Sequence, residues 1–255
     1  MTLKLISLST DSACAMIGKI LDFKGLDYEV VDAEEDQPEE IAHSSDNLKA
    51  RAEEPAAKRE TGKRLSRDNP ANPARKPDQI TQHLPALTFP NGETTVGAWE
   101  IIARLETEHP EPTLLPASYA GLHQVLARYF EGELGATVLR AAMPELLDYY
   151  RARGPRPLSR YVRWVEQRMA AGFCARARQQ AEANRSLMRQ LLAPLEDELR
   201  RRAFLLGRIG LADFALYGQL RCFACAGKLK LPEDFTALRE HFMRIDRITA
   251  RLEAE

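Results

Sequence analysis

Thiols are the most reactive side chains in this 255-residue chain, and there are four: Cys14, Cys174, Cys222 and Cys225. Only Cys222 and Cys225 stand in a Cys-x-x-Cys spacing, and no second such pair completes a zinc site. On a helix that spacing puts both thiols on one face, either as a redox pair or as two small buried residues, because free cysteine packs as a small hydrophobe. No metal is expected. Cys14 follows Ser9-Thr10-Asp11-Ser12, a run of hydroxyls around one carboxylate just ahead of an apolar segment. Asp11 has the side chain of a helix N-cap, which accepts from backbone N–H groups of the first turn. Farther along, Tyr119, His123, Tyr129 and Phe130 follow one another at spacings of four, six and one. Such an aromatic stripe is ordinarily core, and none of the four is assigned to a site.

The global charge adds little chemistry. Thirty-six basic residues stand against thirty-seven acidic ones, a net charge of −1, so no overall field argues for nucleic acid or an anionic membrane. Arg151-Ala152-Arg153 and Arg200-Arg201-Arg202 crowd into the second half, where solvated helix faces are the default and a phosphate-binding surface the alternative. With 44% hydrophobic and 29% charged residues, the composition is globular. The N-terminal Met-Thr-Leu-Lys-Leu-Ile-Ser-Leu alternates like a strand and is too short and polar for a signal peptide. No apolar run approaches the roughly 20 residues that span a bilayer, and a cytoplasmic location is expected.

The elements that must position these residues fall into two kinds. Residues 2–8 read as a half-buried strand; Ala13, Met16, Ile17, Ile20, Leu21 and Phe23 then recur at helical spacing up to Lys24-Gly25. Tyr28-Glu29-Val30-Val31 reads as a second strand, which completes a βαβ unit with parallel pairing. Residues 36–80 lack an apolar period and read as an insertion, with one polar helix near 47–60. The pattern resumes with a strand over His83–Phe89, a turn at Pro90-Asn91-Gly92-Glu93, a strand at Thr94-Thr95-Val96, and a helix opened by Trp99, Ile101, Ile102 and Leu105. The run Pro110–Pro116 separates this part from a second half that is helical throughout, with helices expected at 118–133, 135–152, 158–182, 184–202, 211–226 and 233–253. The organisation is therefore an α/β domain over 1–112 with an insertion at about 36–80, a linker at 113–117, and an all-helical domain over 118–255.

Three segments give this pattern a family likeness. Leu84-Pro85-Ala86-Leu87, Trp99-Glu100-Ile101-Ile102-Ala103-Arg104-Leu105-Glu106, and Gly207-Arg208-Ile209-Gly210-Leu211-Ala212-Asp213-Phe214 together resemble the cytosolic glutathione transferase superfamily. The resemblance implies a thioredoxin-like N-terminal domain, an all-α C-terminal domain, glutathione as co-substrate, a small electrophile as second substrate, and a homodimer. It implies a cis bond at Leu84–Pro85, with Leu84 offering main-chain groups to the cysteinyl part of glutathione. It also places Asp213 at N3 of a buried core helix capped at Gly210, where the family usually has Ser or Thr.

The resemblance departs from the family at the glutathione site. Gly97 and Ala98 stand where an acidic residue and a serine normally hold the γ-glutamyl group, so only main-chain N–H groups at the helix start can serve there. Asp11 falls at the position of the catalytic Ser or Cys. An ionised Asp11 would repel a thiolate, so the hydroxyl donor to glutathione sulfur is expected to be Ser12, with Thr10 or Ser9 as alternatives and Cys14 as a mixed-disulfide nucleophile. Two functions follow. One is a transferase that uses glutathione thiolate on a small electrophile; the other is a non-catalytic binding or interaction protein built on the same scaffold.

Overall fold

The computed structural model describes residues 2–33, 84–224 and 231–248. The expected insertion at 36–80, its helix near 47–60, and Cys225 lie outside the described residues.

The first half builds a four-stranded sheet. Strand β1 (Leu3–Ser7) buries Leu3, Leu5 and Ile6, and helix α1 (Ser12–Phe23) follows it. Strand β2 (Tyr28–Asp32) returns parallel to β1, with Leu5 opposite Val30. Strands β3 (Ala86–Thr88) and β4 (Thr94–Val96) form an antiparallel hairpin, and β3 also runs antiparallel to β1. The order is β2-β1-β3-β4. Strand β3 is shorter than the expected 83–89 span and starts after Pro85, which has no N–H for a ladder. Helix α2 (Ala98–Glu108) closes this half, with Ile101, Ile102 and Leu105 on its buried face.

The second half is helical, with two corrections to the expected boundaries. Helix α3 (Ala120–Tyr129) does not end before the next helix. It passes through a π turn (Phe130–Leu134) directly into α4 (Gly135–Arg153). A helix expected over 158–182 is instead two: α5 (Pro155–Arg168), which begins with Pro155 at its first position, and α6 (Phe173–Gln179). Helix α5 ends at the Met169 C-cap, and Gly172, immediately before α6, holds φ +72°, the left-handed region that favours glycine. Helix α7 (Ala181–Leu199), α8 (Leu211–Ala224) and α9 (Thr236–Asp246) complete the bundle.

Helix α8 is the keystone. Every residue from Leu211 to Leu220 is buried, as a helix enclosed on all sides requires. It packs against α1 so closely that a Cβ at Gly218 would lie 2.4 Å from the Ser12 carbonyl oxygen. The start of α1, and with it the Ser9–Ser12 loop, is therefore set by a helix of the other half. The segment expected as linker carries no helix or strand. Glu106 holds its start, accepting from the Thr113 hydroxyl at 2.9 Å and the Leu114 N–H at 3.2 Å. The buried Lys24 Nζ holds the approach to it, reaching Glu106 at 2.7 Å and the carbonyls of His109 and Pro112 at 2.6 and 3.0 Å.

Two caps fix the critical helix starts. Asp11 caps α1, its carboxylate accepting from the Cys14 N–H at 2.8 Å. At α8, the wholly buried Asp213 reaches back to the Gly210 N–H at 3.0 Å and across to the Leu205 N–H at 2.9 Å, and takes the His241 ring N–H at 2.9 Å. The side-chain acceptor that Gly210 lacks is replaced from α3. His123 Nδ1 accepts from the Ala212 N–H at 3.3 Å. Burial lowers the His123 pKa, against a weaker opposing pull from Asp213, which keeps the ring in the neutral form an acceptor needs. A Cβ at Gly210 would lie 2.5 Å from that imidazole, so the glycine and the histidine imply each other.

Candidate active site

A cleft of about 620 Å³ opens between the two halves, and a smaller cavity of about 250 Å³ adjoins it. The α/β half contributes Asp11, Ser12 and Ala13 at the start of α1, Leu84 ahead of β3, and Gly97 to Glu100 at the start of α2. The helical half contributes Glu131, Trp164, Gln167, Arg168 and Gln219. The Leu84–Pro85 bond is cis, and Pro85 C=O accepts from the Gly97 N–H at 2.9 Å. That bond seats the α2 N-terminus beside Leu84. Two helix N-termini, α1 and α2, thus face one cleft, each with backbone N–H groups and a dipole that favour an anion.

The candidate hydroxyls and thiol do not share one environment. Ser12 is the first residue of α1 and lines both cavities. Thr10 is buried, and its hydroxyl bonds to the Tyr150 hydroxyl at 2.8 Å. Ser9 is exposed in a turn. Cys14 is 1% exposed, and its Sγ accepts from the Leu8 N–H at 3.4 Å. Burial, reinforced by the charge of Asp11, pushes the Cys14 thiol pKa well up, which disfavours the thiolate. Cys222 is likewise buried, its thiol donating to the Gln219 carbonyl at 3.0 Å. Among the described residues no group of three or more His, Cys, Asp or Glu could hold a metal ion. No described helix is long and apolar enough to cross a membrane.

Gly97 and Ala98 bring no hydrogen-bonding side chain, yet a carboxylate stands at the position. Glu100 Oε2 lies 2.5 Å from where a Cβ on Gly97 would be, and Gly97 holds φ +96°. The Glu100 side chain folds back over the glycine and fills space that a side chain at 97 would claim.

No local sequence spacing points to the wall opposite. The π turn carries Glu131 into the cleft, where it accepts from the Trp99 indole N–H, and the Arg128 guanidinium lies 3.8 Å over the Trp99 ring. Burial raises the Glu131 pKa, offset in part by the Trp99 bond and the Arg128 charge. Arg168, from the end of α5, donates to the second Asp11 oxygen at 3.1 Å and lies 4.7 Å over the Trp164 ring. A carboxylate at the expected catalytic position is thus paired with a cation from 157 residues away.

No protein-family model and no curated protein matches this sequence. Solved structures do. A glutathione S-transferase from Rhodospirillum rubrum superimposes with a TM-score of 0.63 at 19% identity, covering 98% of this chain and 90% of that one. A glutathione S-transferase from Methylobacterium radiotolerans, in complex with glutathione sulfonate, matches with a TM-score of 0.55 at 21% identity over 98% and 92%. The β-etherase LigF from a Sphingobium species matches with a TM-score of 0.59 at 19% identity over 98% and 97%. A thioredoxin-like sheet domain joined to an all-helical domain is the architecture they share. This chain has the glutathione S-transferase fold.

Proposed function

We propose that the cleft binds glutathione and presents its thiolate to a small electrophile, with the Ser12 hydroxyl as donor to the sulfur. The observation that carries this reading is the position of Ser12. Of the four candidates it alone lines the larger cleft, and it does so at the first position of a helix whose dipole favours a thiolate. Leu84 and the α2 N-terminus lie along the same cleft, where an extended peptide can run from main-chain pairing to carboxylate binding. Glu100, rather than a residue at 97, serves as counter-ion to the glutathione amine. Cytoplasmic residence and a homodimer belong to this reading as expectations, the dimer being checked by light scattering.

Turnover of a chlorodinitrobenzene tests it. The thiolate attacks the ring carbon, a C–S bond forms, the C–Cl bond breaks, and chloride leaves with the electron pair. Ser12→Ala is expected to lower kcat about 10²-fold, the scale of one lost preorganised donor, with little change in KM. Glutathione bound without turnover, its sulfur away from Ser12, would favour the second reading, a non-catalytic binding protein. That reading draws on the side chains of Gly97 and Ala98, neither of which can hold a ligand, and on Asp11 at the catalytic position.

A further inference from the structure

We infer that Arg168 is the positioning residue that lets this cleft hold an anionic sulfur. It acts by neutralising Asp11 at the N-terminus of α1. The inference rests on the glutathione reading above and names a residue that the resemblance does not supply.

Six residues line both cavities and so mark where they meet: Asp11, Ser12, Glu131, Trp164, Arg168 and Gln219. A nucleophile held in the larger cleft meets an electrophile from the smaller cavity at this junction. Among the described residues, Arg168 is the one cation that lines either cavity. Around it stand Asp11 from the α1 cap and Glu131 from the π turn, with Glu100 across the cleft on α2 and the buried Cys14 thiol behind Asp11. A thiolate beside Ser12 would therefore sit among carboxylates, and repulsion between like charges raises a thiol pKa.

Arg168 changes that balance by its placement. Its Nη1 donates to Asp11 Oδ2 at 3.1 Å, and the other Asp11 oxygen takes the Cys14 N–H, so both carboxylate oxygens are engaged. The Asp11 side chain is only 6% exposed, so little water screens its charge, and the guanidinium is its principal compensation. Trp164 beneath the guanidinium, one turn earlier on α5, fixes its plane over the junction. With the pair formed, the dipole of α1 and the Ser12 hydroxyl can stabilise the sulfur without opposition from Asp11. The thiol proton passes to solvent on ionisation.

The test is the ultraviolet absorbance of enzyme-bound glutathione thiolate against pH, alongside pH profiles of kcat/KM with the chlorodinitrobenzene. Wild type, Arg168→Gln, Arg168→Lys, and the pair Asp11→Asn/Arg168→Gln are compared. Arg168→Gln is expected to raise the bound thiol pKa by about one unit and to lower kcat/KM about tenfold at neutral pH, recovering as pH rises. Arg168→Lys should restore part of the loss. The double variant should restore most of it, because the charge that Arg168 cancels is gone. An unchanged thiol titration in Arg168→Gln, or a double variant no better than the single one, overturns the inference and leaves the glutathione reading standing. If Arg168→Gln does not fold, the titrations of Arg168→Lys and the double variant decide in the same way. Failure of the wild-type protein to bind glutathione overturns both.

Discussion

Two helix starts in this molecule carry glycine where the glutathione transferase pattern carries a side chain, and they answer the loss differently. At α8, Gly210 is buried, so the first-turn N–H groups have no water to turn to. The helix is recapped from within the bundle: Asp213 holds the Gly210 N–H and His123 the Ala212 N–H. At α2, Gly97 faces the cleft, and among the described residues the Glu100 carboxylate is what lies over it. A buried helix start must satisfy its donors internally, whereas a start on a cleft can hold them ready for an anion. The same residue type therefore goes with an internal replacement in one place and, on the proposed glutathione reading, with a ligand site in the other.

The largest effect should come from cutting the internal cap. Asp213→Ala removes a carboxylate that accepts from two buried N–H groups and one ring nitrogen, and should cost about 3–5 kcal/mol in denaturant unfolding. Gly210→Ser comes next. Serine is by type the better cap, yet its Cβ would meet His123 at 2.5 Å and the Leu114 carbonyl oxygen at 2.9 Å, so a loss of about 1–3 kcal/mol is expected. A gain in stability would break the comparison.

The His123 cap also makes a pH statement. Burial lowers the His123 pKa in the folded state, so the unfolded chain binds the proton more readily. The stabilising effect of neutral His123 is then present above the ordinary histidine pKa of about 6.5 and is lost as pH falls below it towards the folded value. His123→Gln should flatten that part of the stability profile in unfolding experiments repeated across pH.

The smallest stability effects belong at the cleft. Glu100 is exposed, so Glu100→Gln should shift unfolding by no more than about 0.5 kcal/mol while weakening glutathione binding several-fold. Affinity and stability should thus separate at α2 and move together at α8.

What the sequence disclosed follows from how local each signal is. The cis Leu84–Pro85 bond was implied by the family resemblance, the βαβ unit by successive periodic elements between Leu3 and Asp32, and the hairpin at Gly92 and the Asp11 cap by residues a few positions apart; the structure forms each of them. Asp213 was legible for the same reason, its Gly210 partner being three residues away. His123 was visible only as part of an aromatic stripe, since its partner is 89 positions on. Arg168 and Glu131 enter the cleft through the packing of one half on the other, which no local spacing encodes. The π turn leaves the apolar period nearly unchanged and so passed for a gap between two helices, although it is what directs Glu131 inward.

The central claim, that this cleft is a glutathione site whose lost side chains are compensated by neighbours, is tested most directly by calorimetric titration of the wild-type protein and Glu100→Gln with glutathione. The account predicts saturable one-site binding to the wild type and several-fold weaker binding to the variant, with unfolding curves that nearly coincide. No measurable heat of binding to the wild type at millimolar glutathione would contradict it.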